Sequence, residues 1–215
     1  MAHRSGQKEE SRARILAAAG RGFRRHGFGG LGVDGLASEA GVTSGAFYAH
    51  FKSKADAFRE AVTVGISSLR DGIEAMRAAK GAGWREAFIE FYLGERRTCA
   101  LADSCALQSL TAEVARGDDD VRAAYEAELR EVITAAAAGL EGASEQDRRD
   151  EAVALLALLA GGVSLARAVK DPALAEEIAA AVRRVASRLG GHESRAGRRS
   201  ISSGGSASTA RRGGR

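Results

Sequence analysis

Between Val33 and Phe51 the chain has room for only two short helices. Val33, Leu36, Ala37 and Ala40 share one helical face, Gly41 stops that run, and a second run reaches about His50. Thr43 stands where its hydroxyl can accept a hydrogen bond from an orphan backbone N–H and start the second helix. Two helices of about two turns, joined by a glycine-containing turn, match the helix-turn-helix pattern.

The flanking sequence reads as helix too. There is one proline in 215 residues, alanine is abundant, and clusters of β-branched residues are few. Ile15, Leu16, Ala19 and Phe23 recur at helical spacing and predict a first helix from about Lys8 to His26, ended by Gly27 in a left-handed conformation. Ser53 and Asp56 form a capping-box variant that opens a long helix to about Ala79. Further helices are expected at Trp84 to about Thr98, Ala106–Arg116 and Val121–Leu140. The acids after Gly117 favour the start of the last of these. Ser144 and Asp147 open a helix to about Lys170 that is apolar nearly all round, and Asp171-Pro172 opens one carrying Leu174, Ile178, Val182, Val185 and Leu189 as a stripe. No strand is evident. The expected fold is all-α with about nine helices.

Charge divides the chain unevenly. Residues 1–58 carry a net +4, residues 59–189 a net −5 and residues 190–215 a net +5. Basic ends suit a polyanion, and they also suit simple solubility. The Gly/Ser/Arg-rich stretch from Gly190 cannot bury apolar surface and reads as a disordered basic tail. It is either passive or a source of sequence-independent affinity for DNA. Two cysteines, Cys99 and Cys105, make no disulfide framework. The N-terminus shows no secretory h-region, and the apolar run Ala152–Ala166 is short and Gly/Ala-rich for a bilayer span. A cytoplasmic protein without membrane contact is expected. Four scattered histidines offer no metal site, no Ser/His/Asp set can be singled out, and the glycines around Phe23 lack the nucleotide-loop spacing. Neither catalytic residues, metal nor cofactor are expected.

The second short helix carries the functional pattern. In a helix-turn-helix this element enters the major groove while the first crosses the DNA backbone. Thr43 and Ser44 lie at its N-terminus, where backbone N–H groups attract phosphate. Gly45 and Ala46 have almost no side chain, so the helix can approach base edges, and the Ala46 methyl can meet a thymine methyl. Tyr48, His50, Lys52 and Lys54 supply polar ends suited to phosphates, while Phe47 and Phe51 would face the protein's own core beside Phe23. A helical bundle with a lysine-rich corner is the competing reading, and it makes an interaction protein without DNA binding the main rival.

From Ala13 to Phe58 the chain resembles the N-terminal domain of the TetR family of bacterial repressors. The resemblance rests on His26-Gly27-Phe28, on the run Val33–Thr43 and on the block Gly45–Phe58. It implies an N-terminal three-helix DNA-binding domain (residues 1–52), a C-terminal ligand-binding and dimerisation domain (53–189) and the tail (190–215). It also implies a homodimer on a palindromic double-stranded operator, released by an unknown small-molecule effector, in a bacterial protein that is nucleoid-associated when DNA-bound. Carried over residue by residue, Thr43, Tyr48, His50 and Lys54 are phosphate contacts, and Ser44 and Ala46 are base-proximal. Gly32 stands where the family usually has a Thr or Ser cap, so the second helix is expected to start less firmly.

In TetR-like proteins the last two helices form a four-helix dimer interface. The apolar helices near the C-terminus fit a central core or such an interface, and the resemblance favours the latter. Leu155, Leu158, Leu159, Val163, Ile178, Val182 and Val185 would fill it, with Gly161-Gly162 permitting close approach. Trp84, Phe88, Phe91, Tyr92 and Tyr125, with Cys105 and Gln108, are the candidate ligand pocket; the aromatics fit a plain core equally well. The segment Asp103–Arg116 resembles a block of one TetR subgroup in which a cysteine opens the sixth helix. A thiol at a helix N-terminus is more reactive than one in a core, so Cys105 is a candidate sensor of electrophiles or oxidants. Asp103 opposes that role, and a small buried thiol is the simpler reading.

Overall fold

Side-chain caps start the helices where the sequence places them. In the computed structural model, which describes residues 2–189, ten α-helices follow one another. They are α1 (Ala2–Gly30), α2 (Val33–Glu39), α3 (Ser44–Tyr48), α4 (Lys54–Lys80) and α5 (Trp84–Leu93), then α6 (Glu95–Thr98), α7 (Ala106–Ala115), α8 (Asp119–Ala137), α9 (Glu145–Ala168) and α10 (Pro172–Ala186). Ser53 Oγ accepts from the Asp56 N–H at 3.0 Å, and Ser144 Oγ from the Asp147 N–H at 3.0 Å. Asp118 caps α8 through Val121 N–H (2.9 Å), and Asp171 caps α10 through Ala173 N–H (2.9 Å). Each bond satisfies a donor that the first helical turn leaves open.

Two boundaries differ from the sequence reading. Helix α1 begins near Ala2, six residues before the start expected at about Lys8. It breaks at Gly27, whose φ of 73° is the left-handed value expected there. The helix expected from Trp84 to Thr98 is two, because Gly94 leaves helical geometry at φ −93°, ψ −92°. A Cβ there would lie 2.8 Å from the Glu90 carbonyl oxygen, so the tight turn needs glycine. The basic tail expected from residue 190 lies outside the described residues.

The head, α1 to α3, encloses Ile15, Phe23, Leu36, Phe47 and Phe51, all essentially inaccessible. Phe58 from α4 closes this core: its ring stands edge-on to Phe23 at 5.1 Å and 5.0 Å from Phe28. Helix α4 then runs through the body, packing on α1, α5, α7 and above all α8. It is thus the element that joins the two regions.

Helix α9 is long and apolar enough to cross a bilayer on length and composition alone. In the fold it packs against α5, α7, α8 and α10, as a core helix does. This placement corrects part of the expected dimer face. Leu155, Leu159 and Val163 are at most 1% exposed within the single chain, so they fill its own core and cannot meet a second copy. Val182 is half-buried and rests on Gly162, while Leu158 and Ile178 are half-buried and Val185 is 50% exposed.

The paired glycines of α9 therefore do different things. A Cβ at Gly162 would lie 2.6 Å from Val182 Cγ2, whereas one at Gly161 meets nothing within 4 Å. Gly162→Ala is expected to force α9 and α10 apart and lower stability by about 1–3 kcal/mol. Gly161→Ala should raise chain stability by up to about 1 kcal/mol through helix propensity. Urea denaturation of both variants would show the opposite signs; a stable Gly162→Ala would contradict the close packing.

Candidate functional site

The tip formed by α2 and α3 is small, exposed and tightly capped. Thr43 adopts an extended backbone, and its Oγ1 accepts from the Ala46 N–H at 3.2 Å. On the inner side Phe47 is fully buried and its ring lies 5.4 Å from that of Phe51. On the outer side Thr43 and Gly45 are exposed, Ala46 is half-exposed, and Tyr48 is 56% exposed, unusual for a large aromatic. One side of a five-residue helix thus fixes it to the core and leaves the other bare.

The remaining residues of the expected contact set are less free. The Ser44 hydroxyl donates to the Asp34 carboxylate of α2, tying the two short helices together. His50 is half-buried, and its Nδ1 is enclosed without a hydrogen-bond partner among the described residues. Lys54 folds its ammonium over the Phe28 ring, 4.5 Å from the centroid, as a cation–π contact. Gly32 caps α2 with no side-chain bond, as its lack of a hydroxyl dictates.

A cavity of about 560 Å³ lies beneath this head, within the range that holds small ligands. Its walls come from α1, α4, α5 and the segment 103–106. Phe88, Phe91, Tyr92 and Cys105 of the expected pocket line it. Trp84, Gln108 and Tyr125 do not. The Trp84 indole N–H donates to the Gly139 carbonyl at 2.7 Å and anchors α5 to the end of α8. Tyr125 shares a 2.9 Å hydrogen bond with Thr111 at a separate groove, and Gln108 Oε1 is buried without a partner among the described residues.

The cavity wall also contains groups that the sequence reading did not assign to it: Leu16, Arg21 and Arg24 from α1, and Arg96. Arg21 and Arg24 read as part of a basic head, so nothing local separated them from DNA-facing cations. Arg24 Nε donates to the Ala102 carbonyl at 2.7 Å, which binds α1 to the loop before α7. Burial lowers the Arg24 pKa, with Asp103 and Cys105 pulling it up and Arg21 and Arg96 pushing it down. Burial likewise raises the Tyr92 hydroxyl well above the usual tyrosine value, and the adjacent Cys105 thiol adds to it. Cys105 itself is half-buried and forms the N-cap of α7 without a side-chain cap bond. Among the described residues no three His, Cys, Asp or Glu side chains gather as a metal site requires.

Residues 15–61 match the family model described as bacterial regulatory proteins, tetR family. These residues contain the whole helix-turn-helix and the start of α4. Over this stretch the chain is similar to the N-terminal domain of the TetR family. The described residues form an all-α fold whose N-terminal part carries a helix-turn-helix of that type. TetR-family structures extend the likeness through the body. The reduced form of E. coli NemR superposes with a TM-score of 0.68 at 23% identity, over 81% of this chain and 96% of its own. A TetR-family transcriptional regulator from Agrobacterium tumefaciens gives 0.70 at 20% identity, over 85% and 98%. Another from Streptomyces coelicolor gives 0.66 at 22%, over 84% and 96%. At these identities the likeness establishes the fold. No curated protein matches the chain by sequence.

Proposed function

We propose that this protein is a homodimeric repressor that binds a palindromic operator and is released by a small-molecule effector. The observation that carries this reading is the position of the cavity. Its walls include α1, which belongs to the head, and α4, which runs from the head into the body. A ligand that fits the cavity better in one arrangement of α1 and α4 shifts the population toward that arrangement. The shift is limited to the ligand's differential affinity for the two states. In a dimer it changes the separation of the two α3 tips, and an operator with fixed half-site spacing no longer fits both.

On this reading residues 1–52 are the DNA-binding head and 53–189 the effector and dimer body, and the protein works in the cytoplasm. Thr43, Gly45, Ala46 and Tyr48 form the leading surface toward DNA. Lys54 and His50 act on phosphates after small side-chain adjustments, and Ser44 mainly braces α3 against Asp34. The dimer face is the exposed side of α9 and α10. Val153 (45%), Leu165 (63%), Leu174 (41%) and Val185 (50%) stand out from it, and Leu158 and Ile178 lie partly covered. Apolar side chains this exposed on adjoining helices suit a self-complementary interface.

Leu165→Arg tests the assembly. A two-fold axis repeats the substitution, so two unpaired charges would enter one interface. The expected result is a monomer at micromolar concentration by analytical ultracentrifugation, with an unchanged helical spectrum and operator affinity reduced about a hundredfold or more. A dimer that persists in this variant would place the interface elsewhere.

A further inference from the structure

The cavity carries more cationic charge than its own residues balance. Arg21, Arg24 and Arg96 all line it, and Arg21 and Arg96 both disfavour the charge on Arg24. Among the described residues Asp103 is the one carboxylate at its wall. Among the described residues none of the three guanidiniums forms an ion pair. Arg24 uses its Nε on the Ala102 carbonyl, and Arg96 one Nη on the Asp103 carbonyl at 2.9 Å. A guanidinium has five N–H donors, so most remain available. The Arg96 guanidinium also stands over the Phe91 ring, its Cζ 5.1 Å from the centroid.

A second, independent group points the same way. The Tyr92 hydroxyl is buried on the cavity wall and has no hydrogen-bond partner among the described residues. The Cys105 thiol beside it is only a weak partner. A buried hydroxyl without a partner is costly unless something absent from the structure satisfies it. The rest of the wall is largely apolar, with Leu16, Val64, Leu69, Met76, Phe88 and Phe91 around the space.

We infer that the cavity takes a small carboxylic acid with an apolar body, its carboxylate bound by Arg24 and Arg96 and hydrogen-bonded by the Tyr92 hydroxyl. This rests on the reading of the cavity as the effector site and names the effector's chemical class. An acid group relieves the repulsion among the guanidiniums and gives Tyr92 an acceptor, and the apolar body fills the space between α1, α4 and α5. A neutral ligand of the same shape leaves both polar features unmet, and an amine adds to the repulsion. The carboxylate would lie against Arg24 on α1, so binding would act directly on the head.

The test uses the full chain at pH 7.5 and three probes of one shape: octanoate, 1-octanol and octylamine. Calorimetry should give octanoate an affinity at least about tenfold above that of octanol, with octylamine weakest. Arg24→Gln and Arg96→Gln should each weaken octanoate about tenfold and leave octanol unchanged. Arg24→Lys should restore part of the loss, and Tyr92→Phe should cost octanoate severalfold. Because the octanol arm reports cavity integrity, a misfolded variant would show itself by losing both ligands. Equal affinity for octanoate and octanol, unchanged octanoate affinity in the arginine variants that still bind octanol, or no octanoate binding at millimolar concentration would each overturn the inference. Gel shifts run with the same probes separate it from the reading beneath it. Operator release by octanol alone would keep the effector mechanism and remove the carboxylate. Octanoate binding as expected with no change in operator affinity would keep the carboxylate and remove the mechanism.

Discussion

Ala46→Glu should abolish operator binding while leaving the protein as stable as before. Ala46 is the third residue of α3, and its N–H already bonds to the Thr43 hydroxyl. A glutamate at this position can reach back to the Thr43 N–H and complete a capping box, and its charge favours the positive end of the helix. Folding should thus change by no more than a few tenths of a kcal/mol, in the stabilising direction. DNA sees the opposite. The half-exposed Ala46 faces outward beside Gly45, and a carboxylate there meets phosphates and base-edge acceptors at close range. Like-charge contact costs on the order of several kcal/mol, and a dimer incurs it twice, so affinity should fall more than about a thousandfold. Thermal melting and gel shifts on one preparation check both halves. Unchanged operator affinity would remove α3 from the interface.

Phe23→Ala should cause the largest loss of stability. Phe23 is fully buried between α1 and α4, edge-on to Phe58 at 5.1 Å and stacked on Phe28 at 6.1 Å. Removing its ring takes away transfer free energy and leaves a cavity that the short head helices cannot collapse to fill, a cost of about 3–5 kcal/mol. For a chain of this length each kcal/mol lowers Tm by roughly 2–4 °C, so a fall of about 6–20 °C is expected. Phe23→Leu should recover more than half of it. A fall of under about 2 °C by differential scanning calorimetry would mean that the three rings do not join head to α4 as the fold indicates.

Local chemistry was legible in the sequence where a side chain meets its own backbone. The caps at Thr43, Ser53, Asp118, Ser144 and Asp171 depend on residues two or three positions away, and each forms. Gly27 was legible because a positive φ is an intrinsic glycine property. The buried faces of Phe47 and Phe51 follow from helical spacing and a head too small to hide both sides of α3.

What required the structure was longer-range. The start of α1 is polar and has no periodicity to read. Gly94 interrupts a helix whose apolar pattern continues through the break. Helix α9 is apolar nearly all round, so periodicity could not tell its inward side, with Leu155, Leu159 and Val163, from its outward side, with Val153 and Leu165. The cavity draws Arg21 and Arg24 from α1 and Arg96 from α6, far apart in sequence, and only tertiary packing brings them to one wall. The same packing removes Trp84 and Tyr125, whose hydrogen bonds to Gly139 and Thr111 give them other work.

Selection from random duplex DNA, followed by hydroxyl-radical footprinting of the winner, tests the central claim most directly. The account predicts one inverted repeat, protected on a single face at two half-sites about 34–36 Å or a multiple of that apart. Binding should weaken steeply as salt rises, and Ala46→Glu should erase both footprints together. Recovery of no common sequence, or a footprint without two-fold symmetry, would contradict it.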